Sequence, residues 1–241
     1  MKIIISESRE EFNGTAADIV RRQIQDKPDS VLGLATGSTP LGLYNLLVCM
    51  GIKGDLDFSR IKTFNLDEYK GLSRDHPQSY YHYMYENLFS KINIRDENVN
   101  ILNGEKADSY RECAEYEKRI KASGGIDLQV LGIGHNGHIG FNEPGTPFDS
   151  ITDLIDLTDR TIEANSRFFD SPHQVPRQAL SMGIKTIMQA RNIILLITGS
   201  AKARIAAKAL RGSITPDVPA SVLQLHPFVT VILDKESAAY L

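Results

Sequence analysis

Short apolar runs alternate along this chain with longer segments whose apolar residues recur at helical spacing. The runs, about four to six residues each, predict strands buried on both faces, and the segments between them predict helices. The predicted strands are 2–5, 31–35, 61–66, 99–102, 128–133, 193–198 and 229–233. The predicted helices are 9–25, 41–48, 79–91, 107–121, 176–189 and 201–210. Strands that alternate with helices indicate an α/β fold with a mostly parallel sheet.

One domain is expected to span residues 1–241, because α/β domains of this length are often undivided. Residues 146–174 differ from the rest, since they lack a clean period and are rich in Asp, Ser and Thr. That composition predicts an irregular segment or a lid beside a site, and not a core element.

Charge and cysteine content exclude several classes of partner. With 27 basic and 30 acidic residues, the net charge of -3 provides no field that would attract nucleic acid or an anionic membrane. No apolar run approaches the roughly 18 residues of a membrane span, and the N-terminal run is too short for a signal peptide. A soluble cytoplasmic protein is expected. Cys49 and Cys113 are predicted to be reduced thiols, with Cys49 buried in an apolar helix.

Two loops that follow predicted strands have the composition of anion sites. The first reads Thr36, Gly37, Ser38 and Thr39 before Pro40, which supplies hydroxyl groups for a helix N-cap and a glycine for close approach. The second reads Gly199 to Lys202 and adds an ammonium group in the first turn of a helix. Ordinary strand-to-helix turns have the same composition, but two such loops at one sheet edge favour a phosphate monoester.

Two further loops contain groups that can transfer protons. Asp67 follows the strand at 61–66 and is a candidate general base, although these residues alone favour a helix cap or a solvated acidic pair with Glu68. His138 and Glu143 follow the strand at 128–133. A histidine exchanges protons near neutral pH, and a carboxylate can fix its tautomer, so an acid–base dyad is expected.

A metal site is the competing interpretation of the histidine loop. His135, His138 and Glu143 offer two imidazoles and one carboxylate. Glycines at 134, 137 and 140 predict an extended loop, however, and not the helix that usually presents paired histidine ligands. No metal is therefore expected.

Five motifs, in the same order along nearly the whole chain, resemble those of glucosamine-6-phosphate deaminases. They are 36–40 (TGSTP), 63–69 (TFNLDEY), 137–144 (GHIGFNEP), 165–169 (NSRFF) and 223–227 (LQLHP). The resemblance implies a three-layer sandwich with a Rossmann-like sheet of the sugar-phosphate isomerase type. It also implies conversion of glucosamine 6-phosphate and water to fructose 6-phosphate and ammonia, without a cofactor.

By matching position, the resemblance also implies residue roles. Asp67 would move the C2 proton to C1, and His138 with Glu143 and the residue at 136 would open the sugar ring. Phosphate would be bound by loop 36–39, Arg167 and Lys202.

Two departures from the family pattern change what is expected. Asn136 stands where many such deaminases have Asp, so a direct proton role at 136 is not expected. Hexameric members activated by N-acetylglucosamine 6-phosphate have basic residues where this chain has Asp153 and Ile155, and a longer C-terminus. We therefore expect no such activation, and a monomer or small homo-oligomer.

Two other functions fit the same fold. A phosphogluconolactonase or another sugar-phosphate isomerase would keep the anion loops but would not need Asp67 and His138 together. A sugar-phosphate sensor domain of a transcription regulator would need a helix-turn-helix segment, whereas this chain is predicted to begin with a strand at Lys2.

Overall fold

The computed structural model describes residues 1–166, 169, 171 and 174–241, without the side chains of residues 160, 164 and 165. The strands are β1 (Lys2–Ser6), β2 (Val31–Leu34), β3 (Lys62–Asn65), β4 (Asp67–Tyr69), β5 (Val99–Asn100), β6 (Leu128–Gly132), β7 (Asp153–Asp156), β8 (Gln178–Ser181), β9 (Asn192–Ile197) and β10 (Val229–Asp234). The helices are α1 (Arg9–Asp26), α2 (Leu41–Ile52), α3 (Tyr80–Asn87), α4 (Ser109–Ala122), α5 (Asp159–Ser166), α6 (Ile184–Met188) and α7 (Ala203–Arg211).

The large sheet has seven strands in the order β1-β10-β9-β6-β2-β3-β5. Every pairing in it is parallel, which confirms the prediction of a mostly parallel α/β sheet. Each of the seven predicted strands forms one of these strands, within a few residues at either end.

Side chains that alternate along the central strands bury both faces of this sheet. In β9, Ile193, Leu195 and Ile197 join an apolar cluster with α4, α6 and α7. Ile194 and Leu196 point the other way and join a cluster with α1, α2 and α3. Helices thus cover both faces, which gives the predicted three-layer sandwich.

Side-chain caps set the starts of several helices. Ser8 Oγ accepts the N–H of Glu11 at 3.1 Å at the start of α1, and Asp108 Oδ1 accepts that of Arg111 at 2.9 Å at the start of α4. Each cap satisfies one of the N–H groups that a first helical turn leaves without a partner.

A second sheet, which the sequence did not predict, has three antiparallel strands in the order β4-β8-β7. The predicted helix at 176–189 is therefore wrong in its first half, where β8 lies, and only the short α6 follows it. The irregular segment predicted at 146–174 contains β7 and α5, so that prediction is wrong for 153–156 and 159–166. Spacing alone did not separate these elements because apolar stretches this short suit either helix or strand.

The exposure of one of the two thiols, Cys49, differs from what the sequence predicted. Cys49 is exposed on α2, so the prediction that it is buried is wrong, whereas Cys113 of α4 is buried. Burial, followed by nearby acidic side chains, raises the pKa of Cys113 to about 12. Neither cysteine is in a disulfide. None of the helices in the described part of the chain is long and apolar enough to cross a membrane.

A buried carboxylate joins the amino ends of three central strands. Asp127 Oδ2 accepts the N–H of Val31 at 2.8 Å and the ammonium of Lys27 at 2.8 Å, and Oδ1 accepts the guanidinium of Arg191. Burial opposes ionisation, but these hydrogen bonds and the Lys27 charge lower the pKa of Asp127 below its ordinary value. Asp127 therefore stabilises the end of the sheet where β2, β6 and β9 begin.

Replacing Asp127 with alanine should lower the free energy of unfolding by about 2 to 3 kcal/mol, because the buried N–H of Val31 loses its acceptor. Asp127→Asn keeps an acceptor oxygen and should cost less. Denaturant unfolding of wild type and both variants at neutral pH measures the difference.

The advantage of wild type over Asp127→Asn should also depend on pH. A carboxyl group whose pKa is lowered by folding stabilises the protein above its unfolded pKa, and the effect is lost as pH falls through the folded pKa. The difference in free energy of unfolding between wild type and Asp127→Asn should therefore be largest at neutral pH and disappear in strong acid. Identical unfolding curves for all three proteins at neutral pH would contradict a stabilising role.

Candidate functional site

The candidate site lies where the chain reverses direction across the large sheet. From β2 the chain runs through β3 to β5 at one edge, and it returns to β6, which pairs with the other side of β2. From β6 it continues to β9 and β10. Such a switch point leaves a crevice beyond the carboxyl ends of the strands, where ligands bind in open α/β sheets. The four loops predicted from sequence follow β2, β3, β6 and β9, which are neighbours at this crevice.

Asp67 is the first residue of β4 and is buried against the loop that carries His138. It pairs with Ser181 of β8, and a β-carbon placed on Gly140 would lie 3.6 Å from Asp67 Oδ2. Burial, and then the charge of Glu68, raise the pKa of Asp67 to about 8. A carboxyl group with such a pKa is able to take up and return a proton near neutral pH.

Glu68 was considered in the sequence only as part of an acidic pair, and its role becomes visible in the structure. Its Oε1 accepts the N–H groups of Tyr69 at 2.8 Å and Tyr80 at 2.9 Å, and its Oε2 accepts that of Tyr81 at 2.8 Å. Burial raises the pKa of Glu68 to about 7 in spite of these hydrogen bonds. Glu68 therefore anchors α3 to β4. Because both carboxyl groups are buried, a solvated acidic pair is excluded.

His138 lies over Gly134, which has no side chain to obstruct it. A β-carbon on Gly134 would lie 2.3 Å from His138 Nε2. Nδ1 of His138 is 3.5 Å from Oε1 of Glu143, longer than a normal hydrogen bond. In the described part of the chain this buried Nδ1 has no hydrogen-bond partner. The side chain is still 27% exposed, so a ligand in the crevice is able to reach the ring.

Glu143 is held as a carboxylate behind His138. The hydroxyl group of Thr161 donates to Oε1, and the side-chain amide of Asn136 donates to Oε2. Burial alone would raise the pKa of Glu143, but the contact with His138 and these hydrogen bonds lower it to about 2. The resulting negative charge lies 3.5 Å from Nδ1 of His138.

Asn136 shapes the turn in addition to binding Glu143. Its Oδ1 accepts the backbone N–H of His138 at 3.2 Å. An amide does not titrate in this range, so the contacts of Asn136 suit orientation of the dyad and not proton transfer. Thr161 was missed in the sequence, because it lies in α5, far along the chain from Glu143, within the segment predicted to be irregular.

Hydrogen bonds to β8 and the residue after it fix the rest of this loop. Ser181 Oγ accepts the N–H of Phe141 at 3.0 Å, and Asn142 Nδ2 donates to the carbonyl groups of Ile139 at 2.7 Å and Met182 at 2.8 Å. The loop that carries His138 is thereby held to the strand beside Asp67.

The first predicted anion loop connects β2 to α2. Gly37 has a φ of 99°, a conformation that side chains disfavour. The prediction of a hydroxyl N-cap is wrong, because Pro40 is the N-cap residue and no side chain caps α2. Thr36, Ser38 and Thr39 therefore do not use their hydroxyl groups as caps, and the first turn of α2 has the N–H groups that suit an anion.

The second predicted anion loop differs from the first. The N–H of Gly199 donates to Asp234 Oδ2 at 2.8 Å, and that of Ser200 donates to Glu236 Oε2 at 3.3 Å. Protein carboxylates thus already occupy these backbone donors, which corrects the prediction of a second anion cradle. Lys202, half-buried just before α7, is the part of this loop that suits a bound anion.

Arg167, predicted to bind phosphate, lies outside the described residues. Across residues 1–166, 169, 171 and 174–241, no group of three or more His, Cys, Asp and Glu side chains is arranged to hold a metal ion. His135, part of the competing metal interpretation, is exposed.

Comparison with known proteins gives consistent matches over the whole chain. The family model described as glucosamine-6-phosphate isomerases/6-phosphogluconolactonase matches residues 7–232. A glucosamine-6-phosphate deaminase of Clostridium novyi is 56% identical over 241 residues and covers 100% of both chains. One from Thermoanaerobacter pseudethanolicus is 54% identical over 239 residues, 99% of this chain and 94% of the relative. A solved structure of a monomeric glucosamine-6-phosphate deaminase has a TM-score of 0.97 at 46% identity and covers 100% of both chains.

The packing of His138 on Gly134 leads to a prediction with a matched control. Gly134→Ala should force the imidazole out of its position and cost about 1 to 3 kcal/mol of stability, as overpacking does. Gly132→Ala, two residues earlier, should be tolerated because nothing lies within 4 Å of the added β-carbon. NMR shifts of the His138 ring, together with unfolding curves, measure both effects. Equal behaviour of the two variants would contradict this packing.

Proposed function

The chain belongs to the family of glucosamine-6-phosphate isomerases and 6-phosphogluconolactonases, and we propose that within it this protein is a glucosamine-6-phosphate deaminase. It converts glucosamine 6-phosphate and water to fructose 6-phosphate and ammonia. The relatives that match over nearly its full length at 54% and 56% identity have that name. The observation that supports the proposal best is a buried carboxyl group with a pKa of about 8 next to the loop that carries a histidine–glutamate pair.

Ring opening is the first step, because an aldose sugar is mostly cyclic. His138 takes the proton of the anomeric hydroxyl group and returns one to the ring oxygen, so the C1–O5 bond breaks and an aldehyde forms. Glu143 stabilises the protonated ring of His138, and Asn136 orients Glu143. The exposed edge of the imidazole and the ionised state of Glu143 support these roles.

Isomerisation and deamination follow on the open chain. Asp67 removes the proton from C2 and delivers it to C1, while one proton of the C2 amino group passes to O1, so a ketimine forms at C2. Water adds to that carbon and the C–N bond breaks, so ammonia leaves and the C2 carbonyl of fructose 6-phosphate remains. This series of reaction steps needs no metal or cofactor, since each step is a proton transfer or a hydrolysis.

The phosphate group is bound at the other side of the crevice. The loop of Thr36, Gly37, Ser38 and Thr39 offers backbone N–H groups, and Lys202 and Arg167 contribute charge. Anchoring a dianion far from C1 and C2 holds the open chain in register with His138 and Asp67.

Hydrolysis of 6-phosphogluconolactone is the second candidate, because the family description includes it. Lactone hydrolysis requires no proton transfer at C2, so a buried carboxyl group with a raised pKa would have no use in it. Asp67 therefore favours the deaminase.

One assay decides between the two functions. The protein is incubated with glucosamine 6-phosphate, and ammonia and fructose 6-phosphate are measured, with 6-phosphogluconolactone as the control substrate. Equal amounts of the two products support the deaminase. Lactone hydrolysis without ammonia release would overturn it.

We further propose that residues 1–241 form one cytoplasmic domain that acts as a monomer or small homo-oligomer. The solved relative at 46% identity is described as monomeric, which supports the smaller assembly. A lid within 146–174 is part of this proposal. Thr161 of that segment donates a hydrogen bond to Glu143, so a movement of the segment would change the position of Glu143 beside His138.

Asp67→Asn should lower kcat at least about a hundredfold and change KM by less than about tenfold, because the lost group acts on the transition state. Asp55→Asn, at an exposed position, is the matched control and should retain full activity. Steady-state kinetics on glucosamine 6-phosphate measure both variants. More than a tenth of the wild-type rate in Asp67→Asn would exclude Asp67 as the base at C2.

The same assignment determines the acid side of the pH profile. A base must be ionised, so kcat/KM of wild type should rise with pH as Asp67 loses its proton, with a pKa of about 8.

Lys202→Ala should raise KM by about one to two decades at low salt, since a charged hydrogen bond contributes about 1.5 to 3 kcal/mol. Lys208→Ala, exposed on α7, which Lys202 precedes, serves as the control. Glucosamine without phosphate should be an equally poor substrate for wild type and Lys202→Ala, and the pH profile should keep its shape. Equal loss on both sugars would remove Lys202 from the phosphate site.

A further inference from the structure

Two tyrosine hydroxyl groups on helices donate hydrogen bonds to carbonyl groups of the segment between β2 and α2, which contains the first anion loop. The hydroxyl of Tyr44, on α2, donates to the carbonyl of Ala35 at 2.5 Å. The hydroxyl of Tyr83, on α3, donates to the carbonyl of Gly37 at 2.6 Å. Tyr44 is fully buried, whereas Tyr83 is only half-buried, so Tyr83 can be changed with less effect on the core.

The geometry of a peptide bond links this contact to anion binding. In a planar trans peptide the C=O and the following N–H point in opposite directions. While Tyr83 holds the carbonyl of Gly37, the N–H of Ser38 is directed away from Tyr83. Glycine tolerates many backbone conformations, so Gly37 alone does not prevent this peptide from rotating. A rotated peptide would present a carbonyl oxygen, which repels an anion, in place of a donor.

The helix that carries Tyr83 is itself firmly held. Glu68 accepts the N–H groups of Tyr80 and Tyr81 at its start, and Met84 is completely buried in the core beneath it. The Tyr80 ring stacks on Phe141, with ring centroids 6.1 Å apart and an interplanar angle of 5°. A single short helix therefore contacts the anion loop, the strand of Asp67 and the loop of His138.

We propose that Tyr83 is a positioning residue of the anion site: its hydroxyl group sets the orientation of the Gly37–Ser38 peptide, and α3 ties that orientation to the strand of Asp67. In this role Tyr83 acts through the carbonyl group of Gly37 and not on the reacting atoms. The inference rests on the proposed function for the identity of the anion, a sugar phosphate, and on the geometry of the loop for the rest.

Tyr83→Phe tests it, because only the hydroxyl group is removed. KM for glucosamine 6-phosphate should rise about two- to tenfold, the range for one neutral hydrogen bond, and kcat should stay within about twofold. Binding of inorganic phosphate, measured by calorimetry, should weaken by a similar factor. Turnover of glucosamine without phosphate should not change.

Tyr85→Phe is the matched control, since it removes a hydroxyl group from the same helix that donates to Asp96 and not to the loop. It should behave as wild type in both assays. A Tyr83→Phe protein with unchanged KM and unchanged phosphate affinity would overturn the proposal, as would equal losses on the phosphorylated and unphosphorylated sugars. If wild type itself fails to deaminate glucosamine 6-phosphate, the proposed function falls, while the phosphate titration still decides the role of Tyr83.

Discussion

The burial of the large sheet on both faces is the constraint on which the rest of the molecule depends. Along β9, successive side chains enter opposite apolar clusters, so the middle of the strand has no room for a reactive polar group. The polar residue of β9, Asn192, is at the first position of the strand. At the carboxyl ends of β2 and β6 the chain connections run in opposite directions and leave a crevice. The reactive groups lie in this crevice.

Three carboxyl groups near this crevice differ in their surroundings and therefore in their protonation. Asp67 is buried beside the charge of Glu68 and forms no ion pair with the described residues, so its pKa is about 8, and Glu68 has a pKa of about 7. Glu143 receives hydrogen bonds from Thr161 and Asn136 and lies near His138, so its pKa is about 2. Burial disfavours all three charges, and the number and kind of donors decide which charge persists. One carboxyl group is thereby suited to exchange protons and another to remain ionised.

The sequence predicted the large sheet well because several of its strands, such as β9, are nearly continuous apolar runs, which differ from helical spacing. The sequence prediction was wrong at β8, because the apolar spacing of β8 and the short α6 together resembles that of one helix. Asp67, His138 and Glu143 could be selected because each follows a strong strand. The contacts of Glu68 with α3 and of Thr161 with Glu143 could not, since they join segments whose approach depends on the second sheet and on α5.

The carboxylate of Asp127 lies at the opposite end of the same strands from the crevice. The contacts of Asp127 thus stabilise β2, β6 and β9 far from the groups that bind a substrate. Mutations in the loops at the carboxyl ends leave these contacts of Asp127 untouched, so the loops can change while this part of the sheet stays held. A scaffold divided in this way is evolvable, in keeping with a family whose description includes both isomerases and lactonases.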